Sequence, residues 1–343
     1  MREGGSMRPV APEPGRSLGR QEDVPVRRIE LFISSGCNLH CSFCCESERI
    51  QRRAWMPEDQ IVGWLDRAVA SGVQLIQFMG GEPTLHPGFP RALREAKARG
   101  LSTFVITNLM RWEDDAFAEE VAPWLDGVMV SMHAGNAETG AIITGRPRWY
   151  ARFLRARDNA ARTLRGRVQA ATVLTRASAS ELGEIWAQLR PLRPQLWVMG
   201  NAVPVGAARA DALDDAAPTG ALRLEELVAL RPEFVRMRDA CAADGCQMVF
   251  FCFPHCVLGP ELWGATHDFV LDSQDLSADA PADKEGVNFW SEAEYHQEPR
   301  PVTLARRRTE RCAGCAREAV CGGHFSEHLR RYGDGAMAPI PKG

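Results

Sequence analysis

The sequence predicts an α/β protein in which β-strands alternate with helices, and three observations support this. Short apolar, β-prone runs such as Val73–Met79 recur through residues 27–205. Stretches with helix signals separate these runs, for example a first-turn proline at Pro57 and a terminating glycine at Gly100. A cysteine-rich segment and a Gly-Gly-Glu segment each follow directly after a strand. Alternation of this kind is typical of a parallel sheet covered by helices.

The elements are predicted in order from the same signals. The first strand is rich in β-branched and aromatic residues and runs directly into a cysteine loop. The remaining strands and the helices between them alternate up to residue 199. The predicted strands are 27–34, 73–79, 101–107, 127–132, 168–174 and 195–199, and the predicted helices are 57–70, 89–99, 114–121, 149–164 and 179–189.

The pattern changes after about residue 205. An Ala/Asp-rich linker spans 207–220, helices are predicted over 222–230 and 232–242, and a strand over 248–253. Residues 272–300 are acidic and polar and are predicted to be a loop. Residues 1–26 lack periodicity and are predicted to be a disordered tail.

Composition restricts the possible roles. The chain has 343 residues, enough for one large and one small domain, and its net charge of −3 does not favour nucleic acid as a partner. No apolar run has the length of a membrane span, and the N-terminus has no signal-peptide core. Eleven cysteines without a secretion signal therefore predict a cytoplasmic protein whose thiols bind metal rather than form disulfides.

Three cysteines stand close together in Cys37-Asn-Leu-His-Cys41-Ser-Phe-Cys44. Thiolates at this spacing can hold three irons of a [4Fe–4S] cluster and leave the fourth iron open for a small molecule. The spacing, with Phe43 before the last cysteine, resembles that of the radical S-adenosylmethionine (radical SAM) superfamily. The resemblance implies a partial (β/α)6 barrel over residues 27–205, with the chemistry at the carboxyl ends of the strands.

A second segment agrees with this resemblance. Gly80-Gly81-Glu82 follows the predicted strand 73–79, where its backbone can approach a ligand closely and Glu82 adds one carboxylate. In the radical SAM superfamily such a segment binds the amino group of SAM. The same resemblance implies that Phe43 packs near the adenine. The next candidates for contact with SAM or substrate lie at the ends of the third and fourth predicted strands: Thr107, Asn108, Ser131 and His133.

A second cysteine cluster lies near the C-terminus. Cys312, Cys315 and Cys321 form a Cys-x2-Cys-x5-Cys pattern, and a fourth ligand is predicted to be Cys256, with Cys252 as the alternative. The segment 245–335 resembles the auxiliary-cluster extension of radical SAM enzymes called SPASM, or its shorter twitch form. No cysteine follows Cys321, so we expect one auxiliary [4Fe–4S] cluster, with structural zinc as the alternative.

Two further thiols, Cys241 and Cys246, flank a short turn and are candidates to donate a hydrogen atom to a substrate radical. Cys45 breaks the ligand spacing and is interpreted as a spare thiol. The predicted domains are a tail (1–26), the barrel (27–205), a linker with helices (206–244), the cluster domain (245–335) and a second tail (336–343).

The resemblance implies an oxidoreductase-like enzyme that cleaves SAM to a 5′-deoxyadenosyl radical, with an electron donor such as flavodoxin or ferredoxin. Many auxiliary-cluster relatives modify ribosomally made peptides in natural-product biosynthesis, so we expect a peptide maturase. The short polar segment before the barrel weakens the peptide interpretation, which then requires that a separate protein binds the leader peptide. The alternatives are a dehydrogenase or epimerase of a sugar or aminoglycoside-type molecule, and an iron–sulfur electron carrier that does not cleave SAM.

Overall fold

The computed structural model describes residues 28–47, 54–204, 206–208, 220–267 and 306–342. Its centre is a parallel sheet in which eight strands follow one another in chain order. The strands are β1 (Arg28–Ser34), β2 (Leu75–Gly80), β3 (Ser102–Thr107), β4 (Gly127–Ser131), β5 (Val168–Leu174), β6 (Leu196–Asn201), β7 (Gln247–Phe251) and the short β8 (Thr266–His267).

Helices cover this sheet, as the predicted α/β class requires. They are α1 (Glu58–Ala70), α2 (Phe89–Ala98), α3 (Asp115–Val121), α4 (Ala137–Thr144), α5 (Trp149–Leu164), α6 (Leu182–Leu189), α7 (Leu224–Ala229), α8 (Arg231–Ala243), α9 (His255–Leu258) and α10 (Ser326–Tyr332). A second, antiparallel pair joins β9 (Arg306–Arg307) to β10 (His324–Phe325). None of the helices in the described ranges is long and apolar enough to cross a membrane.

The core lies between the sheet and its helices. Apolar strand residues such as Phe78 and Val105 are fully buried, and Phe78 packs edge-on against Phe89 of α2 at 5.8 Å between ring centroids. Because parallel strands begin at one edge of the sheet and end at the other, every strand-ending residue lies at a single carboxyl edge. The predicted fold class, a parallel α/β barrel-like sheet, is confirmed.

Two predicted boundaries are wrong. The sheet does not end near residue 205, because β7 pairs with β6 along its whole length, from Leu196 opposite Gln247 to Gly200 opposite Phe251. Residues 336–343 are not a free tail in their described part. Met337 is buried, and Ile340 accepts a hydrogen bond from the amide of Ala316 at 2.8 Å. The C-terminal segment therefore packs against the second cysteine cluster.

Helix α4 and strand β8 were not predicted. The signal for α4 is local: Asn136 accepts hydrogen bonds from the amides of Glu138 and Thr139, and Gly145 ends the helix at φ +64°. Two sequence predictions, the N-terminal tail 1–26 and the loop 272–300, lie outside the described residues. So does most of the predicted linker 207–220.

Candidate iron–sulfur and SAM site

The loop that carries the cysteine triad begins where β1 ends. Cys37, Cys41 and Cys44 are each partly exposed, whereas Ser34 and Ser35 before them are buried. The loop is tied to helix α4, because the amides of His40 and Ser42 donate to the carbonyls at the end of that helix at 2.9 Å. The three thiols are thus presented together at the carboxyl edge of the sheet.

The environment of these thiols favours their protonated form. Burial, and then the charge of Glu82, raise the pKa of Cys37 to about 11. Burial, and then Cys37, raise the pKa of Cys41 to about 12, and burial followed by the neighbouring Cys45 and Cys41 raises the pKa of Cys44. A metal group bound here must therefore displace protons from thiols that lie within electrostatic reach of one another.

Hydrogen-bond donors surround the first of these sulfurs. The amide of Leu39 donates to Cys37 Sγ at 3.4 Å, and Asn108 Nδ2 lies 3.7 Å from the same atom. Asn108 Nδ2 also donates to Asn38 Oδ1 at 2.8 Å. Donors to cysteine sulfur are one means by which proteins tune iron–sulfur clusters, so the donor set fits such a group.

The Gly-Gly-Glu segment lies directly against the start of this loop. The amide of Gly81 donates to Ser34 O at 2.7 Å, and the amide of Glu82 donates to Gly36 O at 2.8 Å. A Cβ on Gly81 would lie 2.5 Å from Ser35 O, so only glycine allows this approach. The two segments singled out in the sequence therefore form one structural unit.

The buried Glu82 carboxylate links the ends of two strands through hydrogen bonds. It is 1% exposed, and one oxygen accepts from the Thr84 amide at 3.1 Å, the Thr84 hydroxyl at 2.6 Å and the Thr107 hydroxyl at 2.8 Å. The other oxygen accepts from the Asn108 amide at 2.7 Å. Burial raises its pKa, while these hydrogen bonds act in the opposite direction. Glu82 thus joins the end of β2 to the end of β3, and Thr84 is a partner that sequence reasoning missed.

The other strand-end candidates lie at the same edge. Thr107 and Ser131 are the last residues of β3 and β4. His133 follows β4, accepts the Val173 amide on Nδ1 at 3.0 Å, and packs edge-on against Phe43 with ring centroids 4.6 Å apart. Burial lowers the pKa of His133 to about 3, so its imidazole is neutral in any ordinary buffer.

The cysteine candidates for hydrogen donation lie elsewhere, and this prediction is corrected. Cys241 is near the end of α8, and Cys246 directly precedes β7. Both are buried, at the amino edge of the parallel sheet. The triad and Glu82 are at the carboxyl edge, so the sheet separates these two thiols from the site.

The C-terminal cysteines line one cavity. Cys256, Cys312, Cys315 and Cys321 all contribute to its wall, whereas Cys252 does not and is 1% exposed. Three arginines and residues 337–340 also line it. The amide of Ile340 donates to Cys315 Sγ at 3.3 Å. The arginines are Arg308, Arg311 and Arg317.

The spacing of these ligands bears on the metal. Within the part of the chain that the structure describes, no three His, Cys, Asp or Glu side chains converge on a position for a single metal ion. A tetrahedral zinc ion with bonds of about 2.3 Å would hold its sulfurs close together. In a [4Fe–4S] cluster each thiolate binds a different iron, so the sulfurs stand further apart. The four thiols at this cavity supply the number of ligands that either group needs.

Comparison with known proteins agrees with this geometry. Residues 31–185 match the Radical SAM superfamily. The match covers less than half of the 343 residues. The family uses a [4Fe–4S] cluster and SAM, and the matched range includes the cysteine triad, Gly80–Glu82 and β2–β5.

Two curated relatives are similar to part of the chain. One is an S-adenosylmethionine-dependent nucleotide dehydratase of Lacinutrix mariniflava, 30% identical over 127 residues, which are 34% of this chain and 26% of the relative. The other is a GTP 3′,8-cyclase of Chlorobaculum tepidum, 32% identical over 125 residues, which are 35% of this chain and 37% of the relative.

A solved structure resembles a larger part of the chain. Streptococcus suis SuiB bound to the precursor peptide SuiA has a TM-score of 0.52 at 17% identity, covering 67% of this chain and 49% of SuiB. At that identity the likeness concerns the fold. The chain spans about half or less of the length of each of these three proteins.

Proposed function

We propose that this chain is a radical SAM enzyme whose Cys37, Cys41 and Cys44 hold a catalytic [4Fe–4S] cluster. The observation that carries the proposal is the joining of the triad loop to Gly80–Glu82 by the Gly81 and Glu82 amides. With cluster and SAM bound, one-electron cleavage of SAM supplies a 5′-deoxyadenosyl radical that takes a hydrogen atom from the substrate. The protein's own residues bind and orient these groups.

The residues have distinct roles in this proposal. The backbone of Gly80 and Gly81 receives the SAM amino group, and Glu82 holds that backbone in place through its bonds to β3. Asn108 donates toward Cys37 Sγ. Phe43 and neutral His133 form an aromatic wall beside the triad, suited to the adenine.

The test is iron and sulfide analysis of anaerobically reconstituted protein, combined with a dithionite-driven assay for 5′-deoxyadenosine. We expect about eight irons per chain and deoxyadenosine formation. Iron without deoxyadenosine, with or without candidate substrates, would favour the electron-carrier alternative instead.

We further propose one auxiliary [4Fe–4S] cluster in the C-terminal cavity, held by Cys256, Cys312, Cys315 and Cys321. Four thiolates occupy all four irons, which favours an electron-accepting role over direct substrate binding. Cys256→Ala should lower the iron content by about half, and Cys252→Ala, in a buried position outside the cavity, should leave it unchanged. The reverse result would make Cys252 the ligand, and zinc in place of iron would make the site structural.

For the substrate we propose a ribosomally made peptide that is cross-linked or oxidised. Support comes from the fold likeness to SuiB, a protein whose structure is known with its precursor peptide, and from the auxiliary-cluster cavity. Candidate precursor peptides should raise deoxyadenosine formation above the uncoupled rate and change in mass by the loss of hydrogen.

A small-molecule substrate is the second candidate, because both curated relatives are named for reactions of nucleotides. Those matches cover about a third of the chain. GTP and other nucleoside triphosphates therefore belong in the same assay. Stimulation by a nucleotide and not by any peptide would replace the peptide proposal.

A further inference from the structure

A recess of about 280 Å³ opens beside the loop that carries the cysteine triad. Leu39 of that loop forms one part of its wall, Met110 after β3 forms another, and the segment 146–149 with Arg152 of α5 forms the rest. We call this the arginine recess, because three of its lining residues are arginines, Arg146, Arg148 and Arg152. None of the residues assigned above to SAM or substrate is part of its wall.

The arginine recess is in direct bonded contact with the triad loop. Arg146 Nε donates to the carbonyl of Asn38 at 2.9 Å, and its Nη2 lies 2.8 Å from His40 Nε2. Leu39, in the wall, donates its amide to Cys37 Sγ at 3.4 Å. One residue and one hydrogen bond thus connect the recess to a sulfur assigned to the catalytic cluster, a short path for an electron.

The charge of this surface is positive although the whole chain carries −3. Arg148 is exposed and forms no ion pair with any of the described residues. Arg152 pairs with Glu113, which it shares with Arg155 at 3.2 Å. Apolar side chains of the recess are Leu39, Met110 and Trp149, and Ile142, four residues before Arg146 in sequence, is 46% exposed. A cationic rim around apolar surface suits an acidic protein partner.

We propose that the arginine recess is the docking surface of an acidic one-electron donor protein that reduces the catalytic cluster. The inference rests on the proposed function, which requires one electron for each SAM cleaved. In the transfer the donor's reduced centre loses one electron and the cluster gains it, and no bond forms or breaks. A small anionic substrate is the weaker occupant, because in this recess it would not face Glu82, Asn108 or His133.

The test compares Arg148→Glu with Arg193→Glu. Arg193 is exposed before β6 at the amino edge of the sheet, so the control makes the same charge change far from the triad loop. A flavodoxin serves as the probe. Its dissociation constant is measured by calorimetry at low and moderate salt, and deoxyadenosine formation is measured with reduced flavodoxin and, separately, with dithionite.

We expect Arg148→Glu to weaken flavodoxin binding roughly tenfold at low salt, with a smaller effect at moderate salt, because the interaction is electrostatic. Flavodoxin-driven SAM cleavage should slow by a similar factor, and the dithionite-driven rate should not change. Arg148→Lys should retain most of the wild-type affinity, and Arg193→Glu should be close to wild type in every measurement.

Equal flavodoxin affinity in the two charge-reversal variants would overturn the proposal. If Arg148→Glu slowed dithionite-driven deoxyadenosine formation as much as the flavodoxin-driven reaction, the proposal would also be overturned, because Arg148 would then act on the chemistry or the fold. Failure of the wild-type protein to form deoxyadenosine with either reductant would refute the proposed function instead. The binding comparison would still decide the docking surface in that case.

Discussion

The two cysteine sites of this chain differ in how they are built. The triad comes from one loop of eight residues and supplies three thiolates, so one iron of a [4Fe–4S] cluster would have no protein ligand. The C-terminal site combines Cys256 with three cysteines more than fifty residues later, and residues 337–340 also line it. All seven cysteines are partly exposed, so the two sites differ in the number of ligands: three thiolates suit a cluster that binds substrate or cofactor, and four suit one that passes electrons. The comparison predicts that the sites can be removed independently.

The largest expected effect comes from removing the triad. Changing Cys37, Cys41 and Cys44 together to Ala should abolish deoxyadenosine formation and leave about four irons in the C-terminal site. The measurements are iron content and deoxyadenosine after anaerobic reconstitution. Cys45→Ala in the same loop is the control and should leave both unchanged. Loss of all iron in the triple variant would show that the two sites are not independent.

Removing the C-terminal site should have a more selective effect. Cys315→Ala removes a ligand whose sulfur accepts the Ile340 amide, so the auxiliary cluster should be lost while uncoupled SAM cleavage continues. The expected result is about half of the iron, near-normal deoxyadenosine and no modified product. Mass spectrometry of the substrate checks this. Product formed at the normal rate would show that turnover does not need the auxiliary cluster.

A smaller effect is expected from Glu82→Gln. Glutamine cannot accept from both the Asn108 and Thr84 amides, so one buried N–H loses its partner at a cost of about 1–3 kcal/mol. SAM affinity, measured by equilibrium dialysis, should fall roughly tenfold as the backbone of Gly80 and Gly81 moves.

The control for Glu82→Gln is Asp126→Asn. Asp126 accepts a backbone amide, that of Thr103, at 2.7 Å, but at the amino edge of the sheet. This variant should lose stability to denaturant without losing SAM affinity. Equal SAM affinity in wild type and Glu82→Gln would contradict the role of Glu82 in the SAM site.

Much of the barrel was predictable because its signals are local. The apolar runs predicted β1–β6 to within about two residues, and the glycines and cysteines at strand ends showed which edge carries the site. The position of Cys246 was also readable, since a residue directly before a strand must lie at the amino edge of a parallel sheet. The prediction that Cys246 donates hydrogen conflicts with this rule, because the triad lies at the carboxyl edge.

Other features depend on contacts distant in sequence. The strand β7 was predicted, but its pairing with β6 follows an intervening 45 residues, and local periodicity does not specify a partner. The segment 337–340 has no secondary structure, and its contact with the cavity includes the bond from the Ile340 amide to Cys315 Sγ, which is distant in sequence. The hydrogen bond from the Thr107 hydroxyl to Glu82 likewise forms only because β2 and β3 are adjacent in the sheet.

The smallest predicted effect tests whether residues 337–340 protect the auxiliary cluster from oxygen. A chain ending at Ala336 loses Met337, which is buried, and the Ile340 amide that donates to Cys315 Sγ. All four cysteines remain, so the auxiliary cluster should still assemble. Its sulfurs become more accessible, and the cluster should be lost in air several-fold faster than in the full chain, while the triad cluster is lost at an unchanged rate.

The decay of iron–sulfur absorbance, measured in a chain whose Cys37, Cys41 and Cys44 are changed to Ala, reports on the auxiliary cluster alone. Equal decay in the two chains would mean that the segment packs beside the cluster without protecting it, and that the contrast between the sites rests on the number of thiolates alone.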